Sequence, residues 1–324
     1  MIFPSLRRRL SATAAALVVG SLALTACGDA ADETTTAEGN GNGGDDGVIT
    51  ITGVPAEEAT ALVSKFELLM EVISEETGKE VEFSSSTDYA AVIEALVAGQ
   101  ADMAIGSPFS YVRAAKAGAE LEPLGGRIEE QGDEPGYVSY ALVRPGSDIQ
   151  ELADAEGRTV CYVDQGSTSG FLYPSAGMID AGLDPEEDVE AIFSGSHDAA
   201  VLALLDETCD MAFAYDSMVE VLMPGRGELS EDDYEVIWES PLIPASPIYM
   251  NTGTLDQETQ DKLRTMFRED RLINVDNLVE AGYCDSLEDC TLPEDSYEYA
   301  PVDDSTYDGI REVCDLTQAA ACTE

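Results

Sequence analysis

The stretch Asp164-Gln165-Gly166-Ser167-Thr168-Ser169-Gly170 follows directly on the apolar run Arg158-Thr159-Val160-Cys161-Tyr162-Val163, and helical periodicity resumes at Phe171. The run reads as a buried parallel strand, and the glycines and hydroxyls after it read as a loop opening a helix. A helix start of this composition can cradle an anion: backbone N–H groups point outward, the helix dipole favours negative charge, and hydroxyls add donors. An ordinary N-cap followed by glycines looks the same from this stretch alone. Two enzymatic readings fail on single positions. A nucleotide-hydrolase phosphate loop needs Lys after the second glycine, where Phe171 stands. A nucleophile elbow needs Ser at the centre of Gly-x-Ser-x-Gly, where Thr168 stands.

Outward from this unit, short apolar runs alternate with amphipathic stretches, the pattern of an α/β fold with parallel sheets between helices. Strands are expected at Val48 to Gly53, Val81 to Ser84 and Met103 to Gly106, with helices over Glu57 to Glu75 and Tyr89 to Ala98. The order then recurs as strand Thr159 to Val163, helix Thr168 to Ala181, strand Val189 to Phe193, helix His197 to Leu205 and strand Met211 to Ala214. Single residues repeat as well. Phe83 to Asp88 and Phe193 to Asp198 share Phe-Ser-x-Ser-x-Asp, and each leads through Ala-Ala-Val into Asp-Met-Ala, at Asp102 and at Asp210. Two lobes built to one plan are the expectation, and the about 277 residues after the tether exceed what one core usually holds. Prolines and a glycine near Leu142 to Gly146 and Pro244 to Asn251 mark two crossings that form a hinge. The expected first lobe is 48–143 with 250–324, and the second is 144–249. The tail after Asp256 is expected on the first lobe, and Trp238 in a core strand.

Ligands of such sheets bind beyond the carboxyl ends of the strands. The loops there, Gly53 to Pro55, Ser86 to Tyr89, Ser107 to Tyr111, Gly166 to Gly170, Ser196 to Asp198 and Tyr215 to Ser217, are rich in hydroxyls. Facing each other across a cleft, they would surround a small anion.

Arg7-Arg8-Arg9, an apolar run to Leu24 and then Leu24-Thr25-Ala26-Cys27 make residues 1–26 a secretory signal, too short to span a membrane. Its end resembles a bacterial lipobox, which implies lipidation of Cys27 and an extracytoplasmic protein anchored to the outer face of the cell membrane. Residues 27–47, almost without apolar side chains, are expected to be a flexible tether. Of the seven cysteines, Cys161, Cys209, Cys284, Cys290, Cys314 and Cys322 remain, an even count that favours disulfides over metal ligands in an exported chain. Short spacing favours Cys284 with Cys290 and Cys314 with Cys322. Cys161 and Cys209 then pair if each sheet runs second-first-third. The net charge of −49 excludes nucleic acid and anionic lipid surfaces as partners by long-range repulsion. It reads as a solvated surface suited to salty or alkaline surroundings.

Ser86-Thr87-Asp88-Tyr89, the Ala101-Asp102-Met103-Ala104-Ile105 run, Gly106-Ser107-Pro108-Phe109-Ser110-Tyr111, Gly166 to Gly170 and Gly195-Ser196-His197-Asp198 together resemble the phosphate/phosphite/phosphonate-binding proteins of ABC importers, in the right order over residues 48–255. The resemblance implies a two-lobed periplasmic-binding-protein fold of the second type that closes on its ligand by hinge motion. It also implies an ABC permease with its ATPase as partner. Carried onto this sequence, the residues around the phosphorus oxyanion are Tyr89, Ser107, Tyr111, Ser167, Thr168, Ser169, His197 and Asp198. Hydroxyls and helix N–H groups would donate to it, the tyrosine rings would narrow the cleft, and His197 would donate from the ring. Asp198 or Asp216, acceptors when ionised, would favour a ligand carrying its own proton or an ammonium group. Asp88 reads first as a helix cap. The expected protein is a monomer without cofactor or metal and not an enzyme. The alternatives are a binder of a sulfur oxyanion or vitamin precursor, a ligand-sensing partner of a membrane receptor, and a serine hydrolase using His197.

Overall fold

The computed structural model describes residues 47–55 and 66–323. The expected signal, the lipidation site Cys27, the tether to residue 46 and the first part of the helix expected over Glu57 to Glu75 lie outside the described residues.

The chain opens with β1 (Val48–Gly53), β2 (Glu80–Ser85), β3 (Met103–Ile105) and β4 (Leu121–Ile128). It continues through β5 (Gly136–Tyr137), β6 (Ser139–Val143), β7 (Thr159–Tyr162), β8 (Glu190–Phe193), β9 (Met211–Tyr215) and β10 (Glu235–Glu239). It returns by β11 (Ile243–Pro244) to β12 (Pro247–Asn251) and later β13 (Glu298–Ala300). The first sheet runs β13-β4-β12-β3-β1-β2 and the second β10-β6-β9-β7-β8. Each therefore contains the second-first-third order, β2-β1-β3 and β8-β7-β9, with parallel pairing. The other strands pair antiparallel, so both sheets are mixed. The lobe folds as expected, but its parallel part is three strands wide.

The crossings lie elsewhere than the prolines placed them. β5 and β11 pair with each other, antiparallel, and carry the chain between the lobes. Ser139–Val143, expected in the first lobe, pairs with β9 in the second sheet, and Pro247–Met250, straddling the expected boundary, pairs with β3 and β4 in the first. The Arg144-Pro145-Gly146 signal is instead a turn at the far end of β6, closed by Ser147 N–H donating to the Arg144 carbonyl. A proline-glycine pair marks a turn, and only strand pairing tells a turn from a crossing.

One core fills the first lobe around Ile49, Ile51, Leu69 and Phe267, and another the second around Val160, Phe171, Met178 and Phe213. A third runs through both, from Tyr89 and Phe109 to Leu172 and Tyr215. Its continuity reflects lobes held together. The tail after Asp256 adds β13 to the first sheet and then reaches both lobes. The helix Asp308–Thr317 packs against Pro108–Lys116 of the first lobe and also against Tyr173–Asp180 of the second. Buried Ile310 and Cys314 supply the apolar contact. Trp238 is half-buried on the edge strand β10 rather than in the core, with its ring against Phe213.

The three disulfides are Cys161–Cys209, Cys284–Cys290 and Cys314–Cys322, with Cα separations of 5.9, 5.4 and 5.6 Å. The first is possible because β7 and β9 are neighbours, with Cys161 opposite Ala212.

Candidate binding site

Four helices begin at the cleft, and each beginning is capped by a side chain. Asp88 Oδ1 accepts from Ala91 N–H at 2.8 Å, at the start of Tyr89–Val97. Ser107 Oγ accepts from Ser110 N–H at 3.1 Å, at the start of Pro108–Lys116. Ser167 Oγ accepts from Gly170 N–H at 3.0 Å, and Ser196 Oγ from Ala199 N–H at 3.4 Å, at the start of His197–Leu205. The third helix opens with a widened turn, in which Leu172 N–H reaches the Ser167 carbonyl and Tyr173 N–H the Thr168 carbonyl, five residues back. Such turns gather at functional sites because they re-aim side chains at a helix start. Gly170 is required there by packing: a Cβ would lie 2.4 Å from Val163 Cβ. At Gly166 a Cβ would lie 2.8 Å from Tyr89 Cβ of the opposite lobe. Both glycines serve close approach.

The lobes are closed on each other. Phe109 N–H donates to Thr168 Oγ1 at 2.9 Å, and the Ser107 and Ser110 hydroxyls reach the Gly166 carbonyl at 3.1 and 3.2 Å. Arg127 Nη2 donates to Ser217 Oγ at 2.9 Å. Between them lies a cavity of about 30 Å³. One water needs roughly 10–15 Å³ of such space, so the cavity suits a group of a few heavy atoms. Tyr89, Ser107, Ser167, Ser169 and His197 border it.

The other expected residues are placed differently. Thr168 is spent on Phe109 across the cleft. The Tyr111 hydroxyl donates to Asp304 Oδ1 at 2.7 Å, and its ring packs on Tyr249 and Tyr307, at the wall of a separate cavity of about 750 Å³ under the C-terminal helix. Burial and the Asp304 carboxylate push the Tyr111 hydroxyl well above the usual phenol range. Asp198 accepts from Ser196 Oγ and Ala199 N–H and pairs with Arg226 at 3.7 Å. Asp216 accepts from Val138 N–H at 3.2 Å and Ser217 N–H at 3.0 Å, beside the hinge. Burial pushes its carboxyl up to about 6. Both acids close local backbone donors before they reach the cavity.

His197 Nε2 lies 3.4 Å from Ser167 Oγ, and Nδ1 is buried without a hydrogen-bond partner. Burial pushes its pKa down to about 3, so the ring is neutral and offers one donor and one acceptor. Its ring also meets the Tyr215 ring edge-on at 4.7 Å. Tyr137, Ser246, Phe66 and Arg127 complete the lining without having been expected. Arg127 had one legible signal, a cation ending the otherwise uncharged segment Leu124-Gly125-Gly126 in a chain with 16 cations against 65 acids. Tyr137 and Ser246 had none, since only the hinge crossings bring them to the cleft. Among the described residues no cluster of three or more His, Cys, Asp or Glu side chains is placed to hold a metal.

Two lobes of this topology closing over a small cavity bordered by hydroxyls, rings and one guanidinium define a solute-binding protein of the type II periplasmic class. Residues 51–271 match the model of a family described as the ABC transporter, phosphonate, periplasmic substrate-binding protein. The chain belongs to that family and is an extracytoplasmic substrate-binding protein of an ABC importer. It is 40% identical over 320 residues to the phosphate-import protein PhnD of Mycolicibacterium smegmatis, covering 96% of this chain and 97% of the relative. The crystal structure of a binding-protein component of an ABC phosphonate transporter from Pseudomonas aeruginosa superposes with a TM-score of 0.71 at 25% identity, covering 84% of this chain and 86% of that one. PhnD1 of Prochlorococcus marinus, crystallised with methylphosphonate, shares the fold at a TM-score of 0.68 and 16% identity, covering 84% and 98%.

Proposed function

We propose that the chain captures a small phosphorus oxyanion, a phosphonate, phosphite or phosphate, and delivers it to its permease and ATPase without chemistry. It does so as a monomer held at the membrane by a lipid on Cys27. The observation that carries the ligand class is the convergence of four capped helix starts on one closed cavity of about 30 Å³. Helix N-termini and hydroxyls are donors, and a tetrahedral oxyanion is nearly all acceptor. Ser107, Ser167, Ser169, Tyr89 and His197 would hold the oxygens. Thr168 would act by holding the lobes closed, and Tyr111 by bracing the helix Pro108–Lys116 from behind. Asp198 and Asp216 would position their loops. The names of the relatives, phosphate import in one and a methylphosphonate complex in another, support the same class. Closure follows because only the closed state completes the donor shell.

The arrangement around His197 argues against hydrolysis. A triad base needs an acid on its other nitrogen, and here Nδ1 has no partner while Asp198 is paired with Ser196 and Arg226. Calorimetric titration against phosphate, phosphite, methylphosphonate and sulfate tests the reading. Tight binding of a phosphorus anion, weakened about tenfold or more in a Ser167→Ala, Ser169→Ala double variant, is expected from the loss of two buried donors. Preference for sulfate, or no response to any of the four, would sink it.

A further inference from the structure

Arg127 reaches the cavity wall from the end of β4 and is only 5% exposed. Its Nη2 donates to Ser217 Oγ of the second lobe and to the Glu129 carboxylate. Its guanidinium carbon lies 5.9 Å from the ring centroid of Tyr215, also in the second lobe. The side chain therefore borders the cavity and takes partners from both lobes. Among the described lining residues it is the one fixed charge, since His197 is neutral and the others are hydroxyls, rings and small or apolar groups.

Resting on the phosphorus-oxyanion reading above, we infer that Arg127 is the counter-charge that selects the ligand: an oxyanion without a cationic substituent, taken in preference to an aminoalkylphosphonate. A guanidinium in a water-poor cavity makes charge-assisted bonds to oxyanions about twice as strong as neutral ones. An ammonium substituent would leave water to meet that same cation. The carboxylates that could receive it are committed elsewhere, Asp198 to Ser196 and Arg226, Asp216 to the N–H groups of Val138 and Ser217, and Glu129, outside the cavity lining, to Arg127 itself. No carboxylate lines the cavity among the described residues. Rejection by an unmatched charge discriminates as effectively as attraction. The contacts to Ser217 and Tyr215 exist only with the lobes together, so holding the anion on Arg127 also favours closure. Lysine would keep the charge and lose the planar fork that serves ligand and Ser217 at once.

The test is calorimetric titration of the purified protein with phosphate, phosphite, methylphosphonate and aminomethylphosphonate, beside Arg127→Met, Arg127→Lys and Ser217→Ala, each variant checked for cooperative melting. In the unaltered protein methylphosphonate should bind at least about tenfold tighter than aminomethylphosphonate. Arg127→Met should weaken every phosphorus anion about 100-fold and narrow that ratio. Arg127→Lys should lose about tenfold, and Ser217→Ala should weaken all ligands alike with the ratio unchanged. Aminomethylphosphonate bound as tightly as methylphosphonate overturns the inference, as does an Arg127→Met variant within about threefold of the unaltered protein. If only phosphate or phosphite binds, its loss in the two Arg127 variants decides. Should Arg127→Met not fold, Arg127→Lys with undiminished affinity overturns the assignment. Silence of the unaltered protein toward all four is a different result, and it overturns the phosphorus reading itself.

Discussion

Thr168 and Ser169 are adjacent hydroxyls in one motif, yet Ser169 borders the cavity and Thr168 faces the opposite lobe. The widened turn makes the difference, because it rotates successive side chains by less than a normal helical step. At His197 the environment likewise overrides the residue type. Burial holds its pKa near 3, whereas the unfolded chain takes up the proton near its ordinary 6.5. The unfolded state therefore binds the extra proton in that window, and the stability His197 contributes is complete above about pH 6.5 and lost as pH falls toward 3. Asp216 has the opposite sign: its raised carboxyl favours the folded state at low pH, a contribution lost as pH rises from about 4 through about 6. Thermal melts of ligand-free protein and of His197→Gln should thus diverge with pH. The advantage of the unaltered protein over the variant should grow between pH 4 and 6.5, by at most about 1.4 kcal/mol per pH unit. Parallel profiles would mean that His197 takes up its proton at the same pH in the folded and unfolded states.

At the level of elements, the disulfides differ in what they tie. Cys161–Cys209 spans 48 residues and staples β7 to the turn before β9, whereas Cys284–Cys290 and Cys314–Cys322 span 6 and 8 within the tail. Loop-closure entropy rises with loop length, giving about 4 kcal/mol for the first and about 2 for each of the others. Removing Cys161–Cys209 as a double Ala variant should lower stability more than removing either tail pair, by denaturant titration. A tail disulfide that matters more than Cys161–Cys209 would mean that the clip acts on the folded state. The helix Asp308–Thr317, resting on both lobes, is where such an effect would arise.

For the whole molecule, 65 acids against 16 cations set a self-repulsion that weakens as salt shortens its range, from about 30 Å at 0.01 M to about 3 Å at 1 M. The melting temperature should rise steadily with sodium chloride across that range. A flat or falling curve would show that the acids are neutralised in place. The legible part of the molecule was its periodicity. The strand Thr159–Tyr162 and the helix starts at Tyr89 and His197 follow from local pattern, because neighbours in sequence decide period, capping and strand formation, whereas the Cys161–Cys209 pairing was legible only as the pair left over, consistent with an assumed sheet order. The sequence also determined which loops reach the cleft, since every one lies at a strand's carboxyl end. Tertiary structure alone decided which side chains in those loops enter the cavity, which acids are turned away from it, and that Arg127, Tyr137 and Ser246 join it. Those outcomes depend on strand pairing at the hinge and on one lobe meeting the other. Residues far apart in the chain compete there for the same donors and space, and no local pattern records who wins.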